Sequence, residues 1–243
     1  MLITPQNSAT EAAGSDDLAA HVTAIRKRMA HAAEEAGRDV RSITLLAVSK
    51  GQSLEQIRTA LDLGLTEFGE NYLDEALPKI AALEGSAASW HFIGRMQANK
   101  TRAIAGHFSW VHGVDRLRVA ERLSAQRPFD SPALNVCVQV HIADDPAKGG
   151  VEAAELPELL RAIAQLPRLQ LRGLMCMLPY DMQPAAQHAV FAQLARLAQQ
   201  ARADGLPLDT LSMGMSADFE AAIAEGATIV RIGTALFGDR MAR

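Results

Sequence analysis

The sequence predicts a single (β/α)8 barrel with an extra helix at its N-terminal end. Three features carry this reading. Eight short β-branched and aliphatic runs recur along the chain, segments with helical apolar spacing lie between them, and no linker or second composition regime interrupts residues 16–243. Strands alternating with helices pair in parallel through right-handed crossovers, and eight such units close a barrel that 243 residues suffice to build. A doubly wound open sheet is the competing arrangement, because periodicity does not distinguish a closed barrel from an open edge. The two weakest runs, at 66–70 and 109–114, carry the difference.

Taken in order, residues 1–15 are small and polar without periodicity and are expected to form a disordered tail. A helix follows over about residues 17–36, with Gly37 placed as its C-cap. The first strand is 43–48 (ITLLAV), and Leu54, Ile57 and Leu61 then mark a helix stripe. Strands at 66–70, 89–93 (SWHFI) and 109–114 come next, then a stripe at Leu117, Ala120 and Leu123. The fifth strand, 134–142 (LNVCVQVHI), precedes a helix through Leu156, Leu159, Leu160 and Ile163. The sixth, 168–176, precedes one through Phe191, Leu194, Leu197 and Ala201. The seventh and eighth strands are 208–213 and 228–232 (TIVRI).

Composition narrows the function. With 24 Lys and Arg against 28 Asp and Glu, net charge −4, both signs are interspersed, and no basic field exists to gather nucleic acid or anionic lipid. No apolar run is long enough to span a membrane, and the N-terminus lacks the pattern of a signal peptide, so a cytoplasmic protein is expected. The two cysteines, Cys137 and Cys176, lie inside apolar strands and form no C-x-x-C pair, which reads as buried cytosolic thiols.

Barrel enzymes carry their chemistry at the C-terminal ends of the strands. There this chain places Ser49-Lys50, Glu70-Asn71, His91 with Gly94, His112, His141, Met175, Ser212-Met213-Gly214 and Arg231-Ile232-Gly233-Thr234. Lys50 follows ITLLAVS and with a period of two shares a face with Thr44, Leu46 and Val48. It reads either as a rim lysine whose ammonium snorkels outward or as a nucleophile that condenses with a carbonyl cofactor or substrate. An unperturbed lysine is almost wholly protonated at neutral pH, so the second role calls for burial or a nearby cation. Arg231 is a candidate for that cation. An arginine inside a barrel costs several kcal/mol unless an anion or ring acceptor pairs with it, and an internal salt bridge with Glu70 is the plainer alternative.

The segments LSMGMS (211–216) and RIGTALFG (231–238) each end a strand on glycine and enter a helix start bearing Ser216 or Thr234. Free N–H groups at a helix start bind phosphate, and barrels often place a phosphate site after strands seven and eight. A phosphate group is the favoured ligand there. His91 reads as a satisfied core histidine, and no histidine at metal-ligand spacing accompanies it, so no metal site is expected. The polar loop Asp144-Asp145 with Lys148-Gly149-Gly150 reads as a solvated turn.

These residues resemble the pyridoxal-phosphate homeostasis proteins, whose barrels are similar to the N-terminal domain of alanine racemase. The resemblance spans nearly all of residues 17–238. It rests on LLAVSK (45–50), FGENY (68–72), WHFIG with Q-x-N-K (90–100), DRLRVAERL (115–123), GLM (173–175) and the two segments LSMGMSADFEAAIAEGAT and VRIGTALFG within 211–238. It implies that Lys50 carries pyridoxal 5'-phosphate (PLP) as a Schiff base. Ser216 and the Gly233-Thr234 backbone would hold its phosphate, with help from Met213, Gly214 and Met215. Arg231 would face the pyridine nitrogen, Asn71 would lie beside the ring, and His91 would be among the cofactor-binding positions.

The resemblance implies a non-catalytic carrier or buffer of PLP in vitamin B6 homeostasis, with apo PLP-dependent enzymes as recipients. Related racemases add a β-rich domain and an interfacial tyrosine, whereas here only Tyr72 and Tyr180 are present, and a monomer is expected. The alternatives are a PLP-dependent amino-acid racemase or decarboxylase, with Tyr72, His91 or His141 as acid/base, and a barrel that holds a phosphorylated metabolite without a Schiff base. One departure from the family is Gln52, where relatives often carry a second lysine. If that lysine helps to bind or pass on PLP, transfer here would rely on Lys148 or Lys100, or be weaker.

Overall fold

The computed structural model describes residues 8–142, 149–179 and 182–238, with side chains from residue 17 onward. Nine parallel strands are present among these residues: β1 Thr44–Val48, β2 Glu67–Glu70, β3 Ser89–Phe92, β4 Trp110–Val114, β5 Leu134–His141, β6 Val151–Glu152, β7 Leu169–Met175, β8 Thr210–Met215 and β9 Ile229–Ile232. Their order is β4-β3-β2-β1-β9-β8-β7-β5-β6, and a further β4–β5 pairing sets Trp110 opposite Asn135 and Val111 opposite Val136. That pairing closes an eight-stranded barrel and excludes the open sheet. Both weak runs are strands, and the added β6 is a two-residue ribbon on β5, too short to show a period.

The helices are α1 Ser8–Glu35, α2 Leu54–Asp62, α3 Leu73–Ala82, α4 Thr101–His107, α5 Leu117–Gln126, α6 Leu156–Ala164, α7 Pro184–Ala203, α8 Phe219–Ala224 and α9 Thr234–Phe237. The extra helix α1 thus begins nine residues before the expected residue 17, and residues 1–7 of the expected tail lie outside the described residues. It stops as the sequence requires. Gly37 adopts φ 63°, and the amides of Gly37 and Arg38 reach back to the carbonyls of Glu34 and Ala33. Helix α3 turns Leu73, Ala76 and Ile80 toward the core despite Pro78 within it, and the seven-residue α4 buries Thr101, Ile104 and Ala105.

Alternation along the strands sorts two environments. Phe68, Trp90, Phe92, Val136, Val138, Val230 and Ile232 join the hydrophobic layer between barrel and helices. Their neighbours meet inside the barrel, where polar contacts link strands that are not adjacent: a hydrogen bond joins His112 on β4 to Ser212 on β8 at 2.7 Å, and the Arg172 guanidinium on β7 stacks over the Trp110 ring on β4 at 4.7 Å. Arg172 is held there by Asp209 at 2.8 Å and Asn135 at 2.9 Å. The barrel interior is therefore polar, and each buried polar group needs a partner to offset its desolvation.

Cys137 and Cys176 are both buried, and burial pushes each thiol up to about 12. The thiolate is the reactive form, so both sulfurs are expected to resist a thiol-reactive chromogen at pH 8 and to react, two per chain, once guanidinium unfolds the protein. Fast reaction of the native chain would contradict this packing.

Candidate functional site

The C-terminal mouth of the barrel gathers most of the residues singled out from sequence. Lys50 is half-buried at the exit of β1, on a short rigid frame. The Ser49 amide donates to the Gly69 carbonyl at 3.0 Å, and the Gln52 amide donates back to the Ser49 carbonyl at 3.0 Å. Gly51 turns the chain with φ 73°, and its amide donates to Glu75 Oε2 at 2.9 Å. Lys79 Nζ donates to the Ser49 carbonyl at 2.8 Å and to Glu70 Oε1 at 2.7 Å. The residues flanking Lys50 are thus fixed from both sides.

Glu70 is the anchor of that frame and is fully buried. Besides Lys79 it accepts from Ser49 Oγ at 2.7 Å, and its Oε2 is buried without a hydrogen-bond partner among the described residues. Burial raises its carboxyl above the ordinary range, against the opposing pull of Lys79 and Ser49. Glu70 is therefore not the partner of Arg231, which was one expectation for that arginine.

Arg231 is buried on β9, in register with Leu46 on β1. Its Nη1 donates to the Ser212 carbonyl at 2.6 Å and to Ser212 Oγ at 2.8 Å, and its Nη2 donates to the Cys176 carbonyl at 2.8 Å. Neutral oxygens, not a carboxylate, hold this cation. Its charge remains uncancelled by direct pairing among the described residues, as suits a group that meets an anionic or electron-rich ligand.

The two glycine-bearing segments after β8 and β9 come together. Ser216 Oγ accepts from the Ala235 amide at 3.4 Å, placing the hydroxyl against the start of α9, where Gly233 is the N-cap and Thr234 the first helical residue. Gly214 has φ 92°, and a Cβ on it would lie 2.6 Å from Ala222 Cβ, so it is required for the approach of β8 to α8. Two expected contributors are turned elsewhere. The Met215 amide donates to Asp218, and the Met213 side chain is buried in the outer hydrophobic layer.

Asn71 follows β2, and its Oδ1 is buried without a hydrogen-bond partner among the described residues. Such an orphan is costly unless a ligand or water satisfies it. The turn after β3 presses against it: a Cβ on Gly94 would lie 2.3 Å from the Asn71 carbonyl oxygen. Gly94→Ala is expected to destabilise the fold by about 2 kcal/mol and to shift Asn71. Urea unfolding checks this, and an unchanged midpoint would contradict so close an approach.

His91, expected at the cofactor, is instead occupied on both ring nitrogens. Nε2 meets Glu67 Oε2 at 2.6 Å and Nδ1 meets His112 Nε2 at 2.9 Å. Tyr72 is 58% exposed, and Tyr180 and Lys148 lie outside the described residues. His141 pairs with Glu152 at 2.7 Å. No group of three or more metal-ligating side chains occurs among the described residues, and no described helix is long and apolar enough to cross a membrane. The sequence singles out neither Glu67 nor Lys79, and it places His112 at the end of its strand without a partner. For Glu67 and His112 the one signal available was a charged or imidazole side chain on the inward face of an otherwise apolar strand; Lys79, on α3, carried none.

Barrel and mouth together define a protein of the alanine racemase barrel class: residues 20–241 match the family profile described as alanine racemase, N-terminal domain. The chain is 53% identical over 223 residues to the pyridoxal phosphate homeostasis protein of Pseudomonas aeruginosa, covering 92% of this chain and 96% of that one. It is 46% identical over 228 residues to the Escherichia coli K12 protein of the same name, covering 93% and 97%. Among solved structures it is similar to PipY of Synechococcus elongatus with PLP bound, with a TM-score of 0.80 and 37% identity, covering 91% of this chain and 100% of that one. The chain belongs to the pyridoxal phosphate homeostasis protein family.

Proposed function

We propose that the barrel mouth holds PLP as a Schiff base on Lys50 and that the protein acts in PLP homeostasis, carrying or buffering the aldehyde rather than turning over a substrate. One observation supports this most: three groups suited to three parts of one molecule converge on the same rim. Lys50 leaves β1 on a braced frame, Ser216 Oγ sits on the Ala235 amide at the start of α9, and Arg231 lies beneath on the strand paired with β1. The residues present fit the group, and the orphaned Asn71 Oδ1 is a further polar position for it.

PLP supplies a reactive aldehyde and a ring that can withdraw electrons when its nitrogen is protonated. The residues of this chain bind the first and restrain the second. Ser216 and the Gly233-Thr234 backbone would receive the phosphate at the start of α9. Arg231 offers an N–H to the ring nitrogen and, being a permanent cation, keeps a proton off it. A site built this way favours holding the cofactor over carbanion chemistry. Exposed Tyr72 and the doubly engaged His91 leave the mouth without a positioned acid/base from either residue.

An absorption spectrum before and after borohydride tests the reading. A visible band that survives dialysis and is fixed by reduction to a single peptide containing Lys50 is expected. A colourless protein that loses its phosphate ligand on dialysis would overturn it in favour of a phosphorylated-metabolite barrel. Amino-acid racemisation lost in Lys50→Ala would overturn the non-catalytic part alone. Delivery to apo-enzymes is the family role extended to this chain, and a recipient enzyme activated faster by the loaded protein than by equimolar free PLP would bear it out.

A further inference from the structure

A continuous hydrogen-bonded chain runs through the barrel interior and ends on the arginine of the site. Glu67 Oε2 lies 2.6 Å from His91 Nε2, His91 Nδ1 lies 2.9 Å from His112 Nε2, His112 Nδ1 lies 2.7 Å from Ser212 Oγ, and Arg231 Nη1 lies 2.8 Å from the same hydroxyl. It begins at the first residue of β2, where the Glu67 side chain is 30% exposed, and crosses β3, β4, β8 and β9. His91, His112, Ser212 and Arg231 are all buried.

We propose that Glu67, His91 and His112 are positioning residues for Arg231, forming a one-way hydrogen-bond chain that commits the Ser212 hydroxyl proton to His112 and leaves its lone pair to the guanidinium.

The direction follows from donor and acceptor counting. A carboxylate only accepts, so His91 must carry its proton on Nε2, and a neutral His91 then accepts at Nδ1. His112 must therefore donate from Nε2, and a neutral His112 accepts at Nδ1. Only the Ser212 hydroxyl can supply that proton, because the guanidinium already donates to the oxygen. Every site is used once, and reversing any single bond sets two protons or two lone pairs against each other. Burial lowers both imidazoles, that of His112 well below its ordinary range with help from the Arg231 charge, which keeps both neutral as the counting requires. Although burial acts to raise the Glu67 carboxyl, the hydrogen bond from His91 holds it below its ordinary range, so the acceptor end is ionised. The chain thus lies between a cation and an anion, and its dipoles point the same way. Hydrogen bonds aligned in a low-dielectric interior reinforce one another.

This inference rests on Arg231 facing the cofactor ring, but its first test does not. In histidine-labelled protein without PLP at neutral pH, long-range 1H–15N correlation is expected to show His91 and His112 as neutral rings protonated on Nε2. A proton on Nδ1 of either ring, or an imidazolium, would overturn the chain whether or not PLP binds. The second test reads the site by absorbance titration with PLP. Glu67→Leu, which removes the terminal acceptor, is expected to weaken PLP binding about tenfold and to shift the visible band, while Glu67→Gln, whose amide oxygen still accepts from His91, restores both. A Glu67→Leu protein that binds PLP with wild-type affinity and spectrum would show that the chain does not reach the site. Correct tautomers in a wild-type protein that binds no PLP would uphold the chain and reject the cofactor reading instead.

Discussion

Lys50→Ala is expected to lack the imine band with PLP, to yield no reduced peptide adduct with borohydride, and yet to remain folded. The first two outcomes follow from chemistry. Only a primary amine forms a Schiff base with the aldehyde, and under the proposed function Ser216, the α9 start and Arg231 would meet the phosphate and ring without forming that bond. The third follows from position. Lys50 is half-buried on the barrel rim, and the bonds that brace its neighbours use the backbone of Ser49 and Gly51 with the side chains of Glu75, Lys79 and Glu70. The loss of folding stability should therefore be about 1 kcal/mol or less. Lys50→Arg should equally lack the imine band, since a guanidinium keeps its charge but does not form the imine. Absorbance near the visible band, peptide mass after reduction and urea unfolding decide these points together. A coloured, reducible Lys50→Ala protein would move the cofactor to another lysine.

Much of the mouth was legible because barrel geometry converts strand order into location. Lys50, Asn71, Ser216 and Arg231 each follow or end an apolar run, and parallel closure brings such positions to one rim. Which partner each would choose was not legible. Glu70 was an open alternative for Arg231, but the pleat separates them: Glu70 shares the outward face of β2 with Phe68 and meets Lys79 on α3, whereas Arg231 faces the interior with Ser212. The interior chain was hidden for a related reason. Glu67, His91, His112 and Ser212 are separated by up to 145 residues of sequence but occupy inward positions of β2, β3, β4 and β8, and the register that aligns them is set by closure, not by any local pattern. His91 alone reads as a core histidine, and it is one. Its partners give it a further use.

Lys79→Met should produce the largest loss of folding stability of the substitutions considered. Glu70 is fully buried and Lys79 is 11% exposed, so removing the ammonium strands a carboxylate that cannot be rehydrated in place. Breaking a buried pair from one side costs about 3 kcal/mol or more, which for a chain of this length lowers Tm by roughly 6–12 °C. The sign of the pH dependence is fixed by Glu70. Its folded carboxyl is already raised above the unfolded value by burial, and a raised acid favours the folded state when protonated, so its contribution is fullest below the unfolded pKa and is lost as pH rises through the folded one. Without Lys79 the raise is larger. The deficit of Lys79→Met should accordingly be small near pH 5 and grow toward pH 8, the reverse of an ordinary surface ion pair lost to acid. The double substitution Glu70→Gln with Lys79→Met removes the stranded charge and should recover most of the stability at pH 8, while the Ser49 carbonyl still lacks its ammonium donor. Urea midpoints at the two pH values measure all of this. Equal deficits at pH 5 and pH 8 would mean that Lys79 serves the fold through its contact with Ser49 and not through Glu70. PLP affinity of the double variant would then report how far that one contact on the residue before Lys50 sets the reach of the lysine.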